Sequence, residues 1–338
     1  MSVIKPGYAI GASAVTEALN DGDAHGEMRQ IYRRTLGPIE ALLKEPDVVE
    51  VARLPDRDGL IKVRRISERG QSESVTEHRQ NETDAQRLAQ RIAHSTERSF
   101  TAERPELRTT MPVYGYRFTA LMPPLTRGIY WTIRRRVVIK TTLEEYVAKG
   151  QLTNDLYRKI IAAIRGNARF GIVGPQSTGK TVLATAILRA TATIYPATFF
   201  LIAEDAWEIE LDHPLVLYIS ILDEWGLGRE IPTILRTGAL SVSIGEVTSG
   251  ADALVEAWMT GVKRTSVLTI HGDAPENAYL RLEQLQHKEG KPVIRIANQK
   301  AVTHVLLMDN SGPEGLPRVV GLYRPTHYDE SGYFLAEV

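Results

Sequence analysis

Gly174-Pro-Gln-Ser-Thr-Gly179-Lys180-Thr181 sets two glycines either side of four residues and follows them with a lysine and a hydroxyl. The apolar run Phe170–Val173 precedes this stretch, and helix-forming residues from Lys180 to Ala192 follow it. Strand, glycine-rich turn and helix in that order make a phosphate cradle. Glycine lets backbone N–H groups turn inward, and the start of the helix points its positive end at the bound anion. The expected binding set is therefore Gly174, Pro175, Gln176, Ser177, Thr178, Gly179, Lys180, Thr181 and Val182, with ATP as ligand. Lys180 reaches the β- and γ-phosphates, and Thr181 holds magnesium through its hydroxyl.

Working outward, residues 156–168 form an amphipathic helix before the cradle. Strand-like runs follow it at 198–203, 215–219, 240–244 and 267–270. Strands alternating with helices predict an α/β domain with a mostly parallel sheet. The chain closes on a meander (302–308, 318–323, 333–337) with turns at Asn310-Ser-Gly-Pro and Asp329-Glu-Ser-Gly. Upstream, short helices break at Gly37-Pro38, and strands at 48–51 and 60–63 flank the turn Pro55-Asp-Arg-Asp-Gly59. A helix over 83–94 is capped by Thr83, and strands at 116–122 and 128–134 flank Pro123-Pro124. This predicts a flexible arm over 1–27, a small α+β domain over 28–136, a linker over 137–152 and the P-loop domain over 153–338.

Composition sets the outer bounds. The 338 residues are 43% hydrophobic and 24% charged, with zero formal net charge and no cysteine. Disulfides, cysteine zinc sites and thiol catalysis are excluded, and a reducing cytoplasm fits best. Residues 1–140 hold 23 Lys/Arg against 18 Asp/Glu. That bias is too weak for a duplex-binding face, so no sequence-specific nucleic-acid binding is expected. No run reaches the roughly 18 apolar residues of a membrane span, and the first residues do not read as a signal peptide.

Hydrolysis needs a group to orient water and one to secure the metal. Candidates stand at strand ends, where open α/β sheets gather their chemistry. Glu204, Glu208 and Glu210 lie in Leu201-Ile-Ala-Glu204-Asp-Ala-Trp-Glu208-Ile-Glu210, and Glu246 ends Leu240-Ser-Val-Ser-Ile-Gly245-Glu246. His271, after Val267-Leu-Thr-Ile, is placed to sense a γ-phosphate.

These segments together resemble the type II/type IV secretion ATPase superfamily. Its Walker A, Asp box, Walker B and His box are similar in order and spacing to residues 174–181, 202–209, 245–247 and 268–271. Upstream, Gly115-Tyr-Arg117-Phe-Thr-Ala-Leu-Met-Pro-Pro-Leu125 and Trp131-Thr-Ile-Arg134-Arg135 look like the family's N-terminal domain. The resemblance implies a RecA-like P-loop domain behind a PAS-like α+β domain, assembled as a homo-hexamer. It implies Glu246 as the water-positioning residue, assisted by Glu204 and Glu208, with Glu204 also at the metal. Arg117 and Arg134 match arginine fingers, a task suited to a planar, permanently charged fork; Arg236 matches a further basic position. The implied partners are inner-membrane secretion or conjugation components and, indirectly, a transported protein or nucleoprotein. The implied location is cytoplasmic, peripheral to the inner membrane. Without cysteines for a four-cysteine zinc insert, the conjugative-transfer branch is the most similar. A pilus-assembly ATPase and a nucleotide-binding scaffold are the rival readings. The chain departs from the family at Ser177-Thr178, Ala239-Leu240, Thr248 and Gly261-Val262.

Overall fold

A computed structural model describes residues 23–67, 70–135, 141–204, 208–221, 234 and 236–338. Most of the expected arm, residues 1–22, and residues 137–140 of the expected linker lie outside them. The chain divides into two compact units, Met1–Val137 and Val138–Val338.

In the first unit, helices α1 (Asp23–Leu36) and α2 (Ile39–Lys44) precede strands β1 (Val48–Leu54), β2 (Leu60–Ser67) and β3 (Gly70–Arg79). Helix α3 (Glu82–Ser95) then leads to β4 (Glu106–Thr110), β5 (Arg117–Leu121) and β6 (Tyr130–Arg134). The strands form one antiparallel sheet in the order β3-β2-β1-β6-β5-β4. Ala85, Leu88 and Ile92 repeat at helical spacing along α3 and bury with Val51, Ile61, Phe118 and Trp131. Two expectations are corrected. The cap of α3 is Asn81, not Thr83: its side chain accepts the Asp84 N–H at 2.8 Å, satisfying a donor that the first turn leaves open. The first helix, expected from Met28, starts earlier: α1 opens at Asp23, within the expected arm.

The second unit begins with α4 (Leu143–Ala148) and α5 (Asn154–Arg165). The expected linker thus contains a helix. A Thr142–Glu145 capping box starts α4, and Leu143, Tyr146 and Leu152 bury in this unit's core. Next come β7 (Arg169–Gly174), α6 (Lys180–Ile194), β8 (Phe200–Glu204), β9 (Val216–Ser220), β10 (Ser241–Ile244), α7 (Ala251–Thr260) and β11 (Ser266–His271). Helices α8 (Asn277–Lys288) and α9 (Arg295–Ala301) and strands β12 (His304–Asp309), β13 (Arg318–Asp329) and β14 (Gly332–Glu337) complete it. The sheet order is β14-β13-β12-β7-β11-β10-β8-β9. Pairing is parallel from β12 through β9 and antiparallel in the closing hairpin.

Alternation along the strands assigns two cores. Leu201, Ala203, Leu268 and Ile270 pack with Leu254, Trp258 and Leu282 on one face. Phe200, Ile202, Phe170 and Ile172 pack with Ile160, Leu183 and Ile187 on the other. With both faces covered, each strand reads as a nearly continuous apolar run. Truncating a central residue such as Ile202 to Ala costs roughly 2–5 kcal/mol. This rigid sheet fixes the strand ends at which the polar residues collect.

Candidate functional site

At the carboxyl end of β7 the chain turns through Ser177 (φ 65°) and Gly179 (φ 74°) into α6. Gly174 admits no side chain, because a Cβ there would sit 2.7 Å from Thr178 Oγ1 and 2.8 Å from the Met308 carbonyl. The buried Thr178 hydroxyl donates to the Pro175 carbonyl at 2.8 Å and ties the loop across itself.

Lys180, buried at the start of α6, folds back onto this loop. Its Nζ donates to the carbonyls of Gly174 (2.9 Å) and Pro175 (2.8 Å) and lies 3.2 Å from His271 Nδ1. Burial pulls the Lys180 ammonium below its ordinary range, a shift that the Glu246 carboxylate partly opposes. An ammonium has only donors, so His271 Nδ1 accepts and the ring proton resides on Nε2. That nitrogen faces Glu246 Oε1 at 3.5 Å. Register explains the meeting: His271 pairs with Gly174 across β11 and β7, while Glu246 leaves the end of β10, beside β11. Thr269, a hydroxyl between Leu268 and Ile270 on β11, donates to the Gly245 carbonyl and holds that corner.

The acidic box divides its tasks. Glu204, at the end of β8, is buried, and both its oxygens accept the Ile209 N–H at 3.1 and 2.9 Å. It lies against Gly245, where an added Cβ would come within 2.8 Å of its Cγ. The carboxylate beside Thr181 is Glu208, whose Oε2 accepts the Thr181 hydroxyl at 3.3 Å. Of the two carboxylates expected at the metal or water shell, Glu208 thus meets the Thr181 hydroxyl and Glu204 meets the Ile209 backbone.

The structure therefore gathers Lys180, Thr181, Glu208, Glu246 and His271 around residues 174–182. Arg117 and Arg134 belong to the first unit, where they are direct cross-strand partners on β5 and β6. Arg236 is exposed. Thr178 and Thr269 carry contacts that the sequence reading did not assign; a hydroxyl between Leu268 and Ile270 was the available signal for Thr269.

Residues 106–309, more than half of the chain, match the family described as Type II/IV secretion system protein. The chain belongs to this family. The matched segment contains Arg117, Arg134, the P-loop, Glu246 and His271. Among relatives, the Conjugal transfer protein TrbB of Rhizobium radiobacter is 30% identical over 246 residues, 72% of this chain and 76% of that protein. The Probable conjugal transfer protein TrbB of Sinorhizobium fredii (strain NBRC 101917 / NGR234) is 31% identical over 195 residues, 57% of this chain and 60% of that protein. Among solved structures, the Legionella pneumophila ATPase DotB has a TM-score of 0.52 at 16% identity, covering 91% of this chain and 79% of its own. The pilus retraction motor PilT with bound ADP has a TM-score of 0.52 at 14% identity, covering 89% and 81%. At these identities the likeness to solved structures is one of fold. No described helix is long and apolar enough to cross a membrane.

Proposed function

We propose that this secretion-family chain is an ATP-hydrolysing motor subunit, acting as a homo-hexamer on the cytoplasmic side of the inner membrane. It powers substrate transfer or pilus biogenesis by a conjugation-like type IV secretion system. The observation that carries hydrolysis is the contact series Lys180–His271–Glu246 at the mouth of the P-loop. Lys180 exchanges its two loop carbonyls for the β- and γ-phosphate oxygens, which relieves its burial as an ammonium. Glu246 orients the attacking water. His271, 3.2 Å from Lys180 Nζ and facing Glu246 at 3.5 Å, registers whether the γ-phosphate is present. Thr181 and Glu208 would hold magnesium through hard oxygen donors, and the ion would supply charge neutralisation there. Glu204 positions the Gly245 corner.

For Arg117 and Arg134 the proposal keeps the phosphate-directed role implied by the family resemblance. Strand order supports a RecA-like reading of the second unit, since the P-loop strand β7 lies inside the parallel set. The antiparallel first sheet, with its first and last strands adjacent at β1 and β6, supports a PAS-like reading. The conjugal-transfer relatives support the conjugation-like setting.

The test is steady-state hydrolysis with magnesium-ATP, measured together with mass by light scattering over a protein concentration series. Activity should rise with a sixfold assembly. Glu246→Gln should bind ATP normally and lose roughly 10²–10⁴-fold in kcat. Near-normal turnover in that variant removes Glu246 from its role. A wild-type protein that binds ATP without ever hydrolysing it supports a scaffold instead.

A further inference from the structure

Two loops deliver the Glu246–His271 pair, and the same helix holds both. After His271 the chain passes through Gly272-Asp-Ala-Pro-Glu276 into α8. Asn277, the first residue of α8, accepts the Asp273 and Ala274 N–H groups on its Oδ1 at 3.1 and 2.8 Å. Gly272 packs so closely on it that an added Cβ would lie 2.6 Å from Asn277 Cβ. At the far end, Glu289 Oε1 accepts the Gly250 N–H at 2.6 Å. Gly250 is the N-cap of α7, at φ 65°, and closes the loop that begins with Glu246. A carboxylate there also meets the positive end of α7. Lys291 adds a second clamp, 3.3 Å from Asp252 in the first turn of α7.

The shaft between these ends is fixed. Tyr279, Leu282 and Leu285 bury in one cluster with Val247, Ala251 and Leu254. Gln286 and Asn298 exchange two hydrogen bonds at 3.0 and 3.1 Å, and Arg295 holds Glu283 at 2.9 Å. A helix of 12 residues spans roughly 18 Å, so the clamps act as opposite ends of one strut. The imidazole–carboxylate distance of 3.5 Å exceeds a good hydrogen bond, so sub-ångström shifts of either loop make or break it.

We propose that α8 braces the water-orienting carboxylate against its histidine, with Asn277 and Glu289 as positioning residues; this rests on the hydrolytic reading of that pair. The test uses the full chain with Glu289→Ala, Glu289→Gln and Asn277→Ala. Hydrolysis kinetics are read beside the His271 ring signal in histidine-labelled protein by NMR, assigned with His271→Gln. Glu289→Ala should lower kcat about tenfold with KM within about twofold and shift the His271 signal. Glu289→Gln keeps an acceptor oxygen for Gly250 and should restore both. Asn277→Ala should reproduce the Glu289→Ala pattern from the other end of the helix, which keeps the test valid if one variant fails to fold. An unmoved His271 signal in the folded alanine variants, or a glutamine variant as impaired as the alanine one, overturns the brace. If the wild-type protein does not hydrolyse ATP, the hydrolytic reading falls, and the ring signal still decides whether α8 positions His271.

Discussion

Among the described residues each unit buries one lysine or arginine, and the two are held in opposite ways. Arg53, 2% exposed on β1, donates to the Gln80 carbonyl (2.8 Å), to the Ile129 carbonyl and to Glu82 Oε2 (2.9 Å). Glu82 in turn accepts the Ile129 N–H. Those acceptors lie in two segments distant in sequence, Gln80 and Glu82 where β3 passes into α3 and Ile129 just ahead of β6, and the fork of arginine joins them. Lys180, 7% exposed, takes its carbonyls from the single loop it stands behind. A cation whose acceptors are spread over the fold serves architecture. One that borrows acceptors from a single loop can give them back when an anion arrives.

Lys180→Ala breaks this comparison on the functional side with the largest expected effect. Losing the ammonium should lower kcat/KM for ATP roughly 10³–10⁴-fold, about 4–5.5 kcal/mol of barrier. Thermal stability should stay within about 1 kcal/mol of wild type, because the substitution also removes a desolvated charge. Steady-state kinetics and a melting curve on the same sample measure both. Unfolding would place Lys180 with Arg53 as an architectural cation.

Arg53→Met tests the other side. It leaves Glu82 and two carbonyls without their donor and should cost about 3–5 kcal/mol of stability, read by urea unfolding. A variant as stable as wild type would mean that the Arg53 network is incidental to the first unit.

His304 sharpens the comparison, being a basic group kept neutral. It lies at the amino end of β12, at the opposite end of the sheet from the P-loop, with its ring 5.6 Å from Phe170 and its Nδ1 3.0 Å from Thr303 Oγ1. Burial, and then the charges of Arg324 and Arg169, push it down to about 4. Its folded value lies below the unfolded one near 6.5, so between pH 6.5 and 4 the unfolded chain binds more protons. Its contribution is therefore whole above about pH 6.5 and is lost as pH falls towards 4. Allowing for partial exposure, the loss is about 2 kcal/mol. His304→Gln should flatten urea stability over that window; an unchanged slope would assign the acid sensitivity elsewhere.

Legibility in the sequence followed how local each signal was. The P-loop, Glu246 and His271 were readable because each ends an apolar run in a fixed grammar of strand and turn. Strand β3 was not, since Gly70–Arg79 (Gly-Gln-Ser-Glu-Ser-Val-Thr-Glu-His-Arg) is a polar edge strand with no apolar alternation to betray it. Arg53 was read past because a charged residue beside a turn is ordinarily exposed; only the tertiary fold brings Gln80, Glu82 and Ile129 to it. The choice between Glu204 and Glu208 at Thr181 also lay beyond the sequence. The two carboxylates are only four residues apart, and it is the folded chain that sets Glu208 at the Thr181 hydroxyl. Asn277 and Glu289 look like ordinary helix-end residues until α7 and β11 are seen beside them.

The smallest predicted effect lies inside the cradle itself. Ser177 stands where the chain departs from the family pattern, and it adopts φ 65°, a left-handed conformation that costs a side-chain-bearing residue roughly 1–2 kcal/mol. Ser177→Gly removes that strain but gives the unfolded chain more freedom, which offsets about 0.4–1 kcal/mol. The net gain should be about 0.5 kcal/mol, a rise of roughly 1–2 °C in Tm for a domain of this size. If the strain is instead part of how the loop presents its N–H groups, the glycine variant will be more stable and bind ATP more weakly. Titration with a fluorescent ATP analogue beside the melt separates these cases. Unchanged affinity makes Ser177 a tolerated residue, whereas weaker affinity makes its left-handed turn part of the phosphate site that Lys180 completes.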